Sequence, residues 1–377
     1  MADLLEYLEW RGDISFADLK PCEADYAILG CISYLPYDKL VAKGMNCRPV
    51  SAAKVFEKIL TLCGPKGDGR QYHLKEDEAL VKKLCDSPRF SELQLVGFEN
   101  IIDEEKEMQF AAITVLMPND ELIVLYRGTD RSLVGWKEDF HMAFDYAIPS
   151  HKEAVRYIEL VAKTFKRRMC VCGHSKGGNL AMYASAFCSS DTQALINEII
   201  NLDGPGFYSE TASGNDIKKI VGRLRTYLPQ MSIAGLLLEH NEISTVVHSS
   251  KGFFSQHSPH SWEVRRGQFV REEGIRAISH NIDGSIKTWI SNCTMEQRGR
   301  LVEGYWRAIM ETGAKKVEEL FTLKNILSML KNVTSIDDDT KELMGESLKV
   351  LYKAFIRVNS EAKREQREAR KKGRKSK

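Results

Sequence analysis

The sequence lacks the features of several protein classes. No stretch approaches 18 uncharged apolar residues, so no membrane-spanning helix is predicted. No basic segment followed by an apolar one stands near the first residue, so no secretory signal is predicted. The nine cysteines show no pairs at zinc-ligand spacing, and an odd number without a disulfide framework favours reduced thiols. We therefore expect a cytoplasmic protein without a structural metal.

Charge is unevenly distributed along the chain. There are 54 Lys and Arg against 52 Asp and Glu, a formal net charge of +2, but residues 361–377 alone hold nine Lys or Arg and three Glu. The rest of the chain is therefore slightly acidic, which argues against a nucleic-acid-binding surface on the globular part. The basic tail is expected to be a solubilising end, with contact to nucleic acid or to an anionic lipid surface as the alternative.

One pentapeptide, Gly-His-Ser-Lys-Gly at residues 173–177, is the strongest motif. Strand-favouring residues precede it and a helix-favouring run follows it, which is the setting of a nucleophile elbow. Glycine is needed two positions before and after the serine because a β-carbon there would clash with the turning chain. The pattern predicts that Ser175 stands accessible on a strained turn. A Gly-rich connection with an inert serine is the alternative.

Periodicity divides the chain into four segments. Residues 1–90 are predicted to be helical, residues 91–295 alternate between strand and helix patterns, and residues 296–360 are helical again before the tail. The alternation predicts an α/β core with a mostly parallel sheet covered on both faces, and chemistry in such sheets lies at the carboxyl ends of the strands. The predicted strands are 93–102, 109–117, 122–126, 168–173, 196–202, 225–228, 243–249 and 262–270.

Over residues 110–265 the sequence resembles the class 3, or fungal-type, lipases. The shared motifs are an aromatic-Arg-Gly-Thr strand end at 126–129, Trp136 with Asp139, and the elbow about 45 residues later. Over roughly the first 300 residues it is still more similar to an uncharacterised bacterial lipase-like family, domain of unknown function 2974. That likeness lies at residues 7–13, 203–207, 256–257 and 261–262. The resemblance implies an α/β-hydrolase fold with helical extensions at both ends.

The resemblance also implies that Ser175 is a nucleophile whose histidine base follows it in the chain. The later histidines stand at positions 240, 248, 257, 260 and 280. By resemblance His257 is the base, and His260 is the alternative in the same loop. A metal site on this His-x-x-His pair is not expected because no third ligand has a suitable spacing. His174 is expected to support the elbow.

The acid that would orient the histidine is less clearly marked. Class 3 lipases carry an aspartate after the strand that residues 225–229 match, where this chain has Gln-Met-Ser at 230–232. Asp203 ends the preceding strand at the same edge and is predicted to hold the imidazole tautomer. Glu239 and Glu242 are the alternatives, and an Asp-Gly turn would be the simpler role for Asp203.

The oxyanion hole is predicted to use the backbone N–H groups of Lys176 and Thr129, with the Thr129 hydroxyl as a further donor. Lys176 replaces the usual leucine, and its side chain is predicted either to reach solvent or to attract an anionic substrate. Trp136 and Asp139 match lipase residues that anchor the segment over the active site. A core aromatic residue with a capping carboxylate is the alternative.

Together these features predict a serine esterase of lipase-like type, with no cofactor, that cleaves a small-molecule or lipid ester through an acyl-enzyme. A thioesterase or peptidase with the same triad is one alternative. A catalytically inactive hydrolase fold that serves as a binding scaffold is the other, and the helical ends and basic tail favour it.

Overall fold

The computed structural model describes residues 3–65, 67–142, 147–275, 293–314 and 337–347, and the single residues 325, 328, 331, 349 and 353. The basic tail, His280 and much of the helical segment predicted at 296–360 lie outside the described residues. The chain divides into two compact units, Met1–Gly274 and Ile275–Lys377. The segment limits predicted from the sequence stay predictions.

An eight-stranded sheet forms the centre of the first unit, and its strands lie in sequential order. The pairs from β1 to β4 are antiparallel and the pairs from β4 to β8 are parallel. A tight turn joins β3 to β4, whereas parallel neighbours need longer crossovers. The strands are β1 (Val50–Ser51), β2 (Gln94–Asp103), β3 (Met108–Leu116), β4 (Leu122–Tyr126), β5 (Met169–His174), β6 (Ile196–Leu202), β7 (Leu224–Pro229) and β8 (Ser244–Val247).

Helices lie before, between and after these strands. Those of the first unit are α1 (Leu4–Arg11), α2 (Glu23–Ile32), α3 (Ala52–Cys63), α4 (Asp77–Cys85), α5 (Pro88–Ser91), α6 (Leu133–His141), α7 (Pro149–Phe165), α8 (Lys176–Phe187), α9 (Ser190–Leu195), α10 (Ser209–Ala212) and α11 (Asn215–Ile220). Four short 3₁₀ turns lie at Val221–Arg223, Ala234–Leu236, Phe253–His257 and Pro259–Ser261. The second unit holds α12 (Met295–Met310), and residues 338–347 are also helical.

The sheet separates two apolar cores because alternate side chains of a strand point to opposite faces. On β5, Cys170 and Cys172 pack with side chains of α1 to α5 in the first core. Met169 and Val171 pack with α7 and α8 in the second. The five N-terminal helices therefore cover one face of the sheet and contribute to its core.

The middle strands end level at one edge of the sheet. Tyr126 is in register with Gly173, His174 with Leu202, and Leu202 with Tyr227. Because these strands are parallel, the residues that follow them lie side by side at their carboxyl ends. The elbow and Asp203 belong to this group.

Two strand predictions differ from the structure. The two-residue strand β1 was not predicted, because so short an element shows no periodicity. The single strand predicted at 262–270 is instead a hairpin of β9 (Val264–Arg265) and β10 (Gln268–Phe269). Its turn places Arg266 and Gly267 at positive φ, which ends a continuous strand.

All nine cysteines lie in the described residues and are free thiols, buried or half-buried. Within the described parts of the chain, no helix has the length and apolar character needed to cross a bilayer.

Candidate active site

Ser175 stands at the turn between β5 and α8. Its backbone has φ +59° and ψ −133°, a conformation that is strained for a residue with a side chain. The turn is held because the Ser175 N–H donates to the carbonyl oxygen of Leu202 at 3.0 Å. The strained serine and the end of β6 are thereby fixed beside each other.

The two glycines of the pentapeptide are required by close backbone approach. A β-carbon on Gly173 would lie 2.0 Å from the carbonyl oxygen of Gly177. A β-carbon on Gly177 would lie 2.1 Å from the carbonyl oxygen of Tyr126. Both distances are far inside van der Waals contact, so the elbow can pack against β4 only with glycine at these positions.

Asp203 and His257 form a direct pair. Nδ1 of His257 lies 2.7 Å from Oδ2 of Asp203, and the aspartate side chain is only 1% exposed. Asp203 itself has φ +52° immediately after β6, in the left-handed region that residues with a side chain seldom adopt. His257 is half-buried at the end of a 3₁₀ turn. A carboxylate bound to Nδ1 holds the proton on that nitrogen and leaves Nε2 free to accept one.

Ser232 completes the surroundings of Asp203. Its hydroxyl donates to Oδ1 of Asp203 at 2.5 Å, and it accepts a hydrogen bond from the backbone N–H of Gly235 at 3.1 Å. Gly235 is close enough that a β-carbon there would lie 2.4 Å from Oδ1. Each oxygen of the buried carboxylate therefore has one hydrogen-bond donor.

The alternative residues named from the sequence lie elsewhere. Nε2 of His260 lies 2.8 Å from Oδ1 of Asp77, a buried pair that brings the start of α4 to this loop. Glu242 accepts from His240 and from Thr226. The Glu239 side chain is exposed, and its backbone pairs with that of Phe207.

The segment predicted to complete an oxyanion hole passes beside the serine. A β-carbon on Gly128 would lie 3.0 Å from the β-carbon of Ser175. Thr129 is the next residue after this close approach. Lys176 is the first residue of α8, where backbone N–H groups have no partner within the helix. The structure thus brings Ser175, Lys176 and Thr129 together.

The prediction for the Lys176 side chain was wrong. The residue is 2% exposed, and its ammonium group donates to Oε2 of Glu138 at 2.8 Å and to the backbone and side-chain oxygens of Gln109 at 2.8 and 2.9 Å. These three acceptors satisfy all three N–H groups of the lysine. Lys176 therefore ties the elbow to β3 and α6, and reaches neither solvent nor substrate.

The prediction that the Thr129 hydroxyl is an oxyanion donor was also wrong. This hydroxyl donates to the Asp139 carboxylate, with oxygen distances of 2.6 and 2.7 Å. Burial raises the pKa of Asp139 to about 6, although nearby Lys176 lowers it. Near neutral pH the carboxylate is therefore mostly ionised and holds the hydroxyl proton. Trp136 is 44% exposed and is not a core aromatic residue.

His174 contacts the loop that carries His257. Its Nε2 lies 2.7 Å from the carbonyl oxygen of His257, and its Nδ1 lies 3.0 Å from the hydroxyl of Tyr34. The contact with Tyr34 was not foreseen, because no local pattern pairs residues 140 positions apart. No local pattern pairs Ser232 with Asp203 either, because the two residues follow different strands.

A cavity of about 250 Å³ opens beside His257. Its walls include His174, Tyr34, His73, Leu74 and Pro259. The cavity is thus lined by both the N-terminal helical segment and the loop that carries the histidine.

Three solved lipase structures are weakly similar to this chain. They are M37 lipase (15% identity, 56% of this chain and 69% of that one, TM-score 0.34), the Rhizomucor miehei lipase in its propeptide complex (12%, 67% and 82%, 0.34) and a triacylglycerol lipase from Penicillium expansum (12%, 48% and 82%, 0.26). No curated protein matches it. The mostly parallel sheet flanked by helices, with an elbow after β5, is an α/β-hydrolase fold. The family model described as Mbeg1-like matches residues 84–307, more than half of the chain, so the chain belongs to the Mbeg1-like family.

Proposed function

We propose that this protein is a serine hydrolase that cleaves a carboxylic ester, small or lipid, through an acyl-enzyme intermediate. The observation that carries the proposal is the 2.7 Å contact between His257 and Asp203, because Asp203 directly follows Leu202, whose carbonyl oxygen binds the backbone of Ser175 on its strained elbow. A buried carboxylate bound to Nδ1 of an imidazole is the arrangement that prepares the ring to act as a base. The closer resemblance of this sequence to domain of unknown function 2974 stays a prediction.

In the first step, the hydroxyl oxygen of Ser175 attacks the ester carbonyl while Nε2 of His257 takes the hydroxyl proton. Asp203 accepts the Nδ1–H and offsets the positive charge of the imidazolium. The oxyanion then accepts hydrogen bonds from the backbone N–H groups of Lys176 and Thr129. Each such donor lowers the barrier by about 3 kcal/mol. The buried contacts of Lys176 and of the Thr129 hydroxyl support this role because they fix both backbones.

In the second step, His257 returns the proton to the departing alcohol, and water then hydrolyses the acyl-enzyme by the same route. The nine free thiols support a reducing compartment, which we take to be the cytoplasm.

The proposal is tested by rapid-mixing kinetics with p-nitrophenyl butyrate. Wild-type protein should release one equivalent of p-nitrophenol in a fast phase before steady turnover, which is the sign of an acyl-enzyme. His257→Asn should lose about 10⁴-fold or more in kcat. His248→Asn is the matched control, because His248 also bonds to a carboxylate, Glu272, but follows β8, which is three strands from the β5 strand that carries the elbow. This variant should keep its turnover.

Two outcomes would contradict the proposal. Folded wild-type protein without turnover of p-nitrophenyl esters or of the corresponding thioester would favour the binding-scaffold alternative. Equal activity of the His257→Asn variant and wild type would remove His257 from the mechanism.

A further inference from the structure

The hydrogen-bonding state of His174 follows from its two partners. A carbonyl oxygen only accepts, so the ring nitrogen facing the His257 carbonyl, Nε2, must carry a proton. Burial lowers the pKa of His174 well below its ordinary value, and the neighbouring ring of His257 lowers it further. The ring is therefore neutral, Nδ1 is unprotonated, and the Tyr34 hydroxyl donates to it.

Tyr34 also touches the strand end on the other side of the serine. Its hydroxyl oxygen lies against Gly128, where a β-carbon would come within 2.2 Å. The Tyr34 ring stacks on His73 at a centroid distance of 4.5 Å, and burial lowers the pKa of His73 to about 4, so that ring is neutral as well. One hydroxyl group thus contacts both the elbow histidine and the segment that leads to Thr129.

We propose that Tyr34 and His174 are positioning residues, which fix the main chain of His257 so that its ring faces Ser175. The inference rests on the function proposed above. Asp203 holds the His257 side chain, while the hydrogen bond from His174 holds its backbone carbonyl. Tyr34 lies in the N-terminal helical segment, outside residues 84–307. The active site would therefore need a segment that the family match does not include.

The test compares His174→Gln with His174→Leu. The amide of glutamine can still donate toward the His257 carbonyl, whereas leucine has a similar size but no donor. For p-nitrophenyl butyrate hydrolysis, His174→Leu should lower kcat about 30-fold because the partly buried His257 carbonyl loses its donor and the base is misplaced. KM should change by less than about twofold, since substrate binding before chemistry is not affected. His174→Gln should recover kcat to within about fivefold of wild type.

A second pair of variants applies if either substitution at 174 prevents folding. Tyr34→Phe removes only the hydroxyl and should lower kcat about fivefold. Tyr37→Phe is its control, because Tyr37 belongs to the same segment, is fully buried, and donates to the Ile32 carbonyl at 2.8 Å without touching the site. Tyr37→Phe should lower the melting temperature and leave kcat unchanged.

The outcomes separate this inference from the proposed function. An active wild type in which the leucine and glutamine variants have equal kcat, or in which Tyr34→Phe and Tyr37→Phe behave alike, would overturn the inference alone. A wild type without esterase activity would overturn both.

Discussion

The Ser232 hydroxyl donates a 2.5 Å hydrogen bond to Oδ1 of Asp203, while Oδ2 of the same carboxylate lies 2.7 Å from His257. Asp203 is 1% exposed, so water cannot replace either partner easily. Residues 230–232 match the segment where class 3 lipases are expected to have their aspartate. In this chain that segment holds Ser232, which supports an aspartate from the neighbouring strand. The carboxylate follows β6, and the hydroxyl that binds it follows β7.

Removal of the Ser232 hydroxyl should weaken catalysis without abolishing it. Ser232→Ala leaves one buried carboxylate oxygen without a donor, and we expect kcat for p-nitrophenyl butyrate to fall about fivefold. Ser185→Ala is the control, since it removes a buried 2.7 Å hydroxyl bond within α8, away from the site. Equal kcat values for the two variants would contradict a supporting role for Ser232.

Replacement of Asp203 should have a much larger effect. Asp203→Asn keeps the shape of the side chain but can place an amide N–H donor where the carboxylate has an acceptor oxygen facing Nδ1 of His257. This change favours the wrong imidazole tautomer, so kcat should fall about 10⁴-fold. Steady-state kinetics should show no comparable loss for Glu239→Gln or Glu242→Gln. A large loss in either glutamate variant, with activity retained in Asp203→Asn, would identify a different acid.

Lys176→Met should destabilise the fold. The substitution leaves Glu138 charged and buried, with 1% of its side chain exposed, and breaking such a pair costs about 3–5 kcal/mol. Urea denaturation should show this loss in the free energy of unfolding. The double variant Lys176→Met with Glu138→Gln should recover part of it because no unpaired charge remains. Full wild-type stability of Lys176→Met would contradict the account of this contact.

The buried pair of His260 and Asp77 should contribute stability that depends on pH. Burial alone lowers the pKa of His260, but Cys31 and the Asp77 carboxylate outweigh it and raise the pKa to about 10. Because the folded-state pKa lies above the ordinary value of about 6.5, the contribution is fully present below that pH and is lost as pH rises through about 10. The difference in free energy of unfolding between wild type and His260→Gln should therefore be large at pH 6 and shrink toward pH 10. A difference that stays constant over this range would contradict the shift.

Local patterns predicted the elbow and the positions of the central strands well. The glycines at 173 and 177 are required by contacts within the elbow and with β4. Strand β4 and the first four residues of β5 are continuous apolar runs because both faces of the sheet are covered. The prediction of Asp203 and His257 as partners agrees with their contact, since both follow elements that end at the same sheet edge. Their catalytic roles stay a proposal.

Contacts between distant parts of the chain were beyond prediction from one sequence. Lysine is a residue type that usually lies at the surface, and only the hydrogen bonds of Lys176 to residues 109 and 138 explain its burial. The Thr129 hydroxyl was assigned to the oxyanion because Asp139, ten residues on, could not be placed near it in advance. Tyr34 and Ser232 reach the site from segments in which the sequence pattern predicts only which residues are buried. In each case the side chain that satisfies the polar group comes from another strand or helix.

Covalent trapping of the nucleophile tests the central claim most directly. Folded wild-type protein would be treated with a fluorophosphonate probe, alongside a known serine esterase as a reactivity control, and its peptides mapped by mass spectrometry. The account predicts a single adduct on Ser175 that is absent from Ser175→Ala. An adduct on another residue, or an unmodified wild-type protein beside a labelled control esterase, would contradict it.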